Sequence, residues 1–243
     1  LSQELQISDT LSLVRGRHSI KTGFQLRRSY FDLFQIPQPR GKFSFSGEFT
    51  QDPDHNDGTG DPLADALLGY SSQIDISNIT QTKNRTPVVG AFFQDDFKMT
   101  PSLTLNLGLR WDYTGPTVEA DDRQSNFDYA TGQVLVANQN GNSRGLIDVD
   151  KFDFAPRLGF AWSPFKDGRT AFRGGYGIFY GAQEVRTGFQ LGYSMPFFFA
   201  LSKASEFGVT PAAYVSEGFP ALDPTAASFP GILSADLRFK SPY

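Results

Sequence analysis

Apolar and polar residues alternate over stretches of about ten residues in this chain. Leu103, Leu105, Leu107, Leu109, Trp111 and Tyr113 fall on one face, and Thr104, Asn106, Gly108, Arg110 and Asp112 on the other. Phe152, Phe154, Pro156, Leu158, Phe160 and Trp162 alternate with Asp153, Ala155, Arg157, Gly159, Ala161 and Ser163. The pattern recurs over 170–180 and 20–30, and more weakly over 4–14, 41–50, 72–83 and 87–99. A period of two predicts β-strands with one greasy and one wet face. Asp9, Arg28 and Asp95 break the pattern on otherwise apolar faces.

Strand length narrows the class. At ~3.3 Å per residue and a tilt near ~45°, ten to twelve residues cover an apolar band ~25 Å tall. Strands in soluble sheets are usually nearer 5–6 residues. The connections alternate as well. Short turns lie at 15–18, 99–102 and 163–169, whereas about forty residues separate Tyr113 from Phe152. That long connection carries its own hairpin signal over 126–136. Short turns at one end and long loops at the other are the habit of outer-membrane barrels. Aromatic residues mark the strand ends: Tyr30, Phe31, Trp111, Tyr113, Tyr176 and Tyr180 by the long loops, and Phe97, Trp162 and Phe165 by the short turns. Rings with a polar edge favour the membrane–water boundary. Asp61 through Gly69 predicts a short helix, with Asp61 as N-cap, Pro62 in the first turn and Gly69 at the end. If the 15–18 and 99–102 turns share one end, strand parity places that helix at the short-turn end too, so either 41–50 does not span or the barrel makes an inward excursion there.

Composition removes other classes. The chain has 24 Gly and 15 Pro, which disfavour long helices, and no Cys, so it holds no disulfide framework or thiolate metal site. The net charge is -4 with no basic block, which argues against nucleic-acid binding. Mean hydropathy is -0.32, a value that hides strand-borne apolar faces. Neither end carries a signal peptide or a capping element, and both read as cuts through a longer protein.

The segment Phe93 to Trp111 resembles the strand–turn–strand of TonB-dependent receptors, with Oar-like receptors the nearest subgroup. Phe154 to Trp162, followed by Arg173 to Tyr180, resembles the next hairpin of that family. Asp65 to Gly69 and Asp236 to Arg238 add shorter matches. The resemblance implies a many-stranded outer-membrane barrel closed by an N-terminal plug, with solute uptake powered through contact between plug and TonB. The segment 1–243 would then be part of one barrel domain lacking its plug and its C-terminal strands. Residues 114–151 would form a long extracellular loop, and the partners would be lipid, plug, TonB and an unidentified solute.

Candidate chemistry is sparse. No Ser-His-Asp spacing, phosphate loop or H-E-x-x-H motif is present, so no enzyme and no cofactor are expected. His18 reads as a solvated turn residue, and Gly174, Gly175 and Gly177 as strand packing positions. Asp52, Asp54, Asn56 and Asp57 begin like a calcium loop, but Asp57 stands where the turn glycine belongs and no bidentate Glu follows, so a plain polar loop is the stronger reading. The polar strand faces carry Lys21, Arg27, Arg110, Arg157 and Arg173, with Lys42, Glu48 and Asp112 beside them. In a barrel these face the lumen.

The expectation is therefore an all-β, transmembrane, antiparallel up-and-down barrel, partial, with about eight spanning strands and open at both edges. The alternative is a β-sandwich that binds carbohydrate or protein. The two differ in whether the apolar faces are left bare or are packed between two sheets.

Overall fold

The computed structural model describes residues 1–34, 38–54, 58–165, 169–181, 190–223 and 233–242. In chain order the strands are β1 (Ser2–Arg15), β2 (His18–Phe34), β3 (Lys42–Ser44), β4 (Gln73–Ser77), β5 (Gln81–Thr100), β6 (Leu103–Thr114), β7 (Val118–Glu119), β8 (Ser125–Asp128), β9 (Gln133–Val136), β10 (Asp148–Val149), β11 (Asp153–Trp162), β12 (Phe172–Gly177), β13 (Ala200–Ala204) and β14 (Arg238–Phe239). Among the described residues one α-helix, α1 (Pro62–Leu68), lies between β3 and β4.

Six strands build the main sheet in the order β1-β2-β5-β6-β11-β12, and β7 adds to the upper part of β5. Every neighbour in that order is antiparallel. The up-and-down order follows from the turns, because a short connection forces the next strand to return alongside. At the β1–β2 turn, Arg15 faces His18 and Gly16 takes φ +60°, a conformation open to glycine at little cost. The predicted pairings hold: Val88–Thr100 runs against Leu103–Thr114, and Arg157–Trp162 against Phe172–Gly177. The sheet does not close, and β1 and β12 form its two edges.

The strand count differs from the expectation of about eight, since six strands form the main path of the sheet among the described residues, five of them of ten residues or more and β12 of six. The segments 41–50 and 72–83 do not span. Only Lys42–Ser44 of the first becomes a strand, and it joins β4 and β13 in a separate three-stranded sheet. The second divides between β4 and the start of β5. Removing 41–50 as a crossing changes the parity. The helix therefore sits in the β2–β5 connection, at the end opposite the short turns. Its boundaries are local. Asp61 accepts from Leu63 N at 2.7 Å, and Gly69 closes the helix at φ 76° with its N–H on Ala66 O.

Two kinds of surface result. On the main sheet the apolar side is bare: Phe93 is 49% exposed, Leu109 46%, Leu158 57% and Phe160 42%. Buried apolar side chains gather in the long connections instead, where Ile147, Val149, Leu191 and Ala235 cluster against Tyr113 and Phe239. The bare side excludes the sandwich alternative, in which a second sheet would cover those rings and leucines.

Candidate functional site: the polar face of the wall

In an antiparallel ladder directly opposed residues share a face, so register assigns every side chain to one side or the other. One row runs Ser12, Lys21, Gln94, Gly108, Arg157, Gly177 across all six strands. The next rows hold Gly23, Phe92 and Arg110, and, towards the turns, Asp96, Asn106 and Gly159. Arg27 opposes Gln6 and Val88, and Arg173 opposes Ala161. Lys21, Arg27, Arg110, Arg157 and Arg173 thus lie on one continuous face. Lys42 and Glu48 do not belong to it. Lys42 pairs with Asp75 at 3.9 Å in the small sheet, and Glu48 is buried and accepts from the Ser205 hydroxyl.

The charges on this face are unevenly matched. Arg110 grips Asp112 with two bonds, Nε at 2.6 Å and Nη2 at 2.7 Å, a fork that fixes both side chains. Arg27 lies 3.9 Å from Glu4. Asp96 accepts from Asn106 Nδ2 at 2.6 Å. Lys21, Arg157 and Arg173 make no ion pair with any described carboxylate. Arg157 instead lays its guanidinium 4.7 Å from the Phe179 ring. Between Arg110, Arg157, Phe92 and Gln94 lies an open cavity of about 420 Å³ floored by Gly108.

Glycine shapes this face. Gly23, Gly90, Gly108, Gly159, Gly175 and Gly177 all stand on it, and among the main-sheet strands only Gly174 lies on the apolar side. At Gly23 a Cβ would sit 2.5 Å from Asp9 O and 2.8 Å from the Phe92 ring, so the Phe92 side chain occupies the space that glycine leaves. This regularity was present in the sequence as Gly at alternate strand positions, but its use became visible only with the register.

The long-loop end is held by buried polar residues that pattern reading treats as solvated. Glu119 accepts from the backbone N–H of Lys83, Asp121 and Arg123 at 2.8–3.0 Å. Asn126 donates to Ala235 O and accepts from Ala235 N, both at 3.0 Å. Ser71 is tied in the same way to Ala213. These bonds stitch the connections to each other and to β5.

The calcium candidates are only partly described. Asp54 N donates to Asp52 Oδ1 at 2.9 Å, an ordinary loop contact, while Asn56 and Asp57, like His55, lie outside the described residues. Among the described residues no group of three His, Cys, Asp or Glu is arranged to hold a metal. His18 is exposed at the turn, as read, and in addition its ring stacks on Phe97 and its Nδ1 meets Asp95.

A one-layer antiparallel sheet, apolar on one face and polar on the other, with tight turns at one end and packed loops at the other, is the wall of an outer-membrane β-barrel. The family model of the outer membrane beta barrel domain matches residues 1–243, and the chain belongs to that family. It is a protein of the bacterial outer membrane. Comparison with curated proteins and with solved structures found no match. Among the described residues no helix is long and apolar enough to cross a membrane; the crossing elements of such a barrel are strands.

Proposed function

We propose that this wall belongs to a TonB-dependent receptor of the Oar-like kind, which takes up a solute across the outer membrane. The polar face is its lumen, and the packed connections, including 114–151, form its extracellular end. The observation that carries the reading is the cationic surplus on the polar face: Lys21, Arg157 and Arg173 stand there without a carboxylate partner among the described residues. A wall that is completed by a plug, and by a solute passing beside it, supplies such partners. The resemblance of Phe93–Trp111 and Phe154–Trp162 to receptor hairpins supports the same reading.

The test uses the full-length protein in detergent and the purified periplasmic domain of TonB. A stoichiometric complex is expected, together with proteoliposomes that leak no small sugars, because the plug closes the pore. Absence of TonB binding combined with free sugar leakage would overturn the reading in favour of a passive pore.

A further inference from the structure

The connection 114–151 surrounds a second open cavity, of about 530 Å³, at the top of β6. Its walls are apolar: Tyr113, Pro116, Val118, Leu135, Ile147 and Val149. Small-molecule sites have this lining and run from about 300 to about 1,000 Å³. The walls are fixed by buried polar side chains. The Gln124 amide donates to Thr117 O at 3.3 Å and to Arg144 O at 2.5 Å, and accepts from Glu119 N at 3.0 Å. Leu146, at φ 57°, holds a left-handed conformation that is costly for a residue with a Cβ. Such strain persists only where the surroundings over-determine it. Here Ser143 Oγ accepts from Leu146 N at 3.1 Å, and Asn126 Nδ2 donates to Leu146 O at 3.3 Å. The cavity is therefore preformed.

Polar groups stand at the rim and are unequally committed. Arg144 is bound to Asp122 and to the carbonyls of Glu119 and Ala120. Asn142 donates to Val136 O, and Asp148 stands opposite Arg238 in the β10–β14 pair. Lys151 is left. Its carbonyl is fixed by Trp111 Nε1 at 2.9 Å. Its side chain is exposed and makes no ion pair with any described carboxylate. An apolar space with one free cation at its rim is complementary to an apolar molecule that carries one carboxylate.

We propose that this cavity binds an apolar solute bearing a single carboxylate, its body against Tyr113, Leu135 and Ile147 and its carboxylate on Lys151. The proposal names a solute class for the receptor reading and rests on that reading for transport alone. Binding here needs no TonB, so its failure leaves TonB coupling untouched, and loss of TonB coupling leaves the cavity as it is.

The experiment uses the full-length protein in lipid nanodiscs and para-benzoylbenzoate, an apolar monocarboxylate that photolabels C–H bonds. Labelled residues are mapped by peptide mass spectrometry. Label is expected on Leu135, Leu146 or Ile147. Label on wall residues such as Leu107 reports partition into the bilayer and serves as the internal reference. Leu135→Trp fills the cavity and is expected to abolish its label with the wall label unchanged. Val118→Phe, which fills it from β7, does the same if heat-modifiable migration shows the first variant unfolded. Lys151→Gln is expected to lower the cavity label roughly fivefold, the upper end for an exposed ion pair, and Lys151→Arg to retain it. Label confined to wall residues, or cavity label unchanged in the folded filled variant, overturns the proposal. Equal cavity label from para-methylbenzophenone, which lacks the carboxylate, overturns it as well.

Discussion

His18 donates from Nδ1 to Asp95 Oδ2 at 2.6 Å across the β2–β5 ladder. Asp95 stands on the apolar face, opposite Ile20 and Leu107, and is nearly buried. A carboxylate there needs a partner, and His18 reaches it from the turn while stacking on Phe97 at 4.5 Å. His18→Ala should therefore destabilise the folded barrel by ~1–3 kcal/mol, because it strands a desolvated acceptor. The double change His18→Ala with Asp95→Val should recover much of that loss. Urea unfolding in lipid vesicles, followed by tryptophan fluorescence, measures both. A single variant as stable as the parent would show that the pair contributes nothing.

The chain has no cysteine, so each introduced one is a unique probe of facing. Fluorophores at Leu107→Cys and Phe160→Cys should be quenched by brominated lipids, and those at Thr104→Cys and Asn106→Cys should not. Equal quenching at positions 106 and 107 would contradict the two-faced wall.

Charge should discriminate the faces in the same way. Leu109→Arg, opposed only by Phe93 and Pro156, is expected to cost ~2–4 kcal/mol near mid-membrane. Asn106→Arg stands on the polar face opposite Asp96, where the new guanidinium has a carboxylate to meet, and should cost under ~1 kcal/mol. Comparable losses in the two variants would refute the assignment.

Glycine positions offer a steric test. Gly23→Val should cost ~1–3 kcal/mol or prevent assembly, since its Cβ would lie 2.5 Å from the Asp9 carbonyl. Gly108→Ala meets its nearest atom at 3.5 Å and should be tolerated. Heat-modifiable migration of the two variants reads the difference directly.

Outside the wall, Asp75 accepts from Ser202 Oγ at 2.7 Å, which holds its carboxyl below the ordinary 3.8; Gln73 and Lys42 add to this, and burial opposes it. A carboxyl lowered in the folded state contributes stability above its unfolded pKa, and that contribution is lost as pH falls through the folded value. The β4–β13 pairing should thus hold at pH 5 and loosen below about pH 3.8. Ser202→Ala should loosen it at higher pH than in the parent. Amide hydrogen exchange across Gln73–Ser77 reports this, and an unchanged pH dependence in the variant would remove Ser202 from the account.

The wall was legible because its signals are local. Alternation from Leu103 to Tyr113 assigns two faces without knowledge of any partner strand, and short turns dictate antiparallel neighbours. The helix was legible for the same reason: Asp61 and Gly69 satisfy the ends of α1 from within the segment. The polar set Lys21, Arg27, Arg110, Arg157 and Arg173 followed from the same period.

Tertiary structure alone decided the rest. Whether 41–50 crosses depends on β4, which pairs Lys42–Ser44 on one side and the distant Ala200–Ala204 on the other. No period in either segment encodes that choice. Glu119, Gln124 and Asn126 lie within the connection 114–151, where a side chain that will cap a distant backbone group looks like one that water will solvate. The same holds for His18, whose partner lies seventy-seven residues away. Alternation follows from where each residue points relative to its neighbours in sequence, whereas these contacts follow from which strands the register brings together.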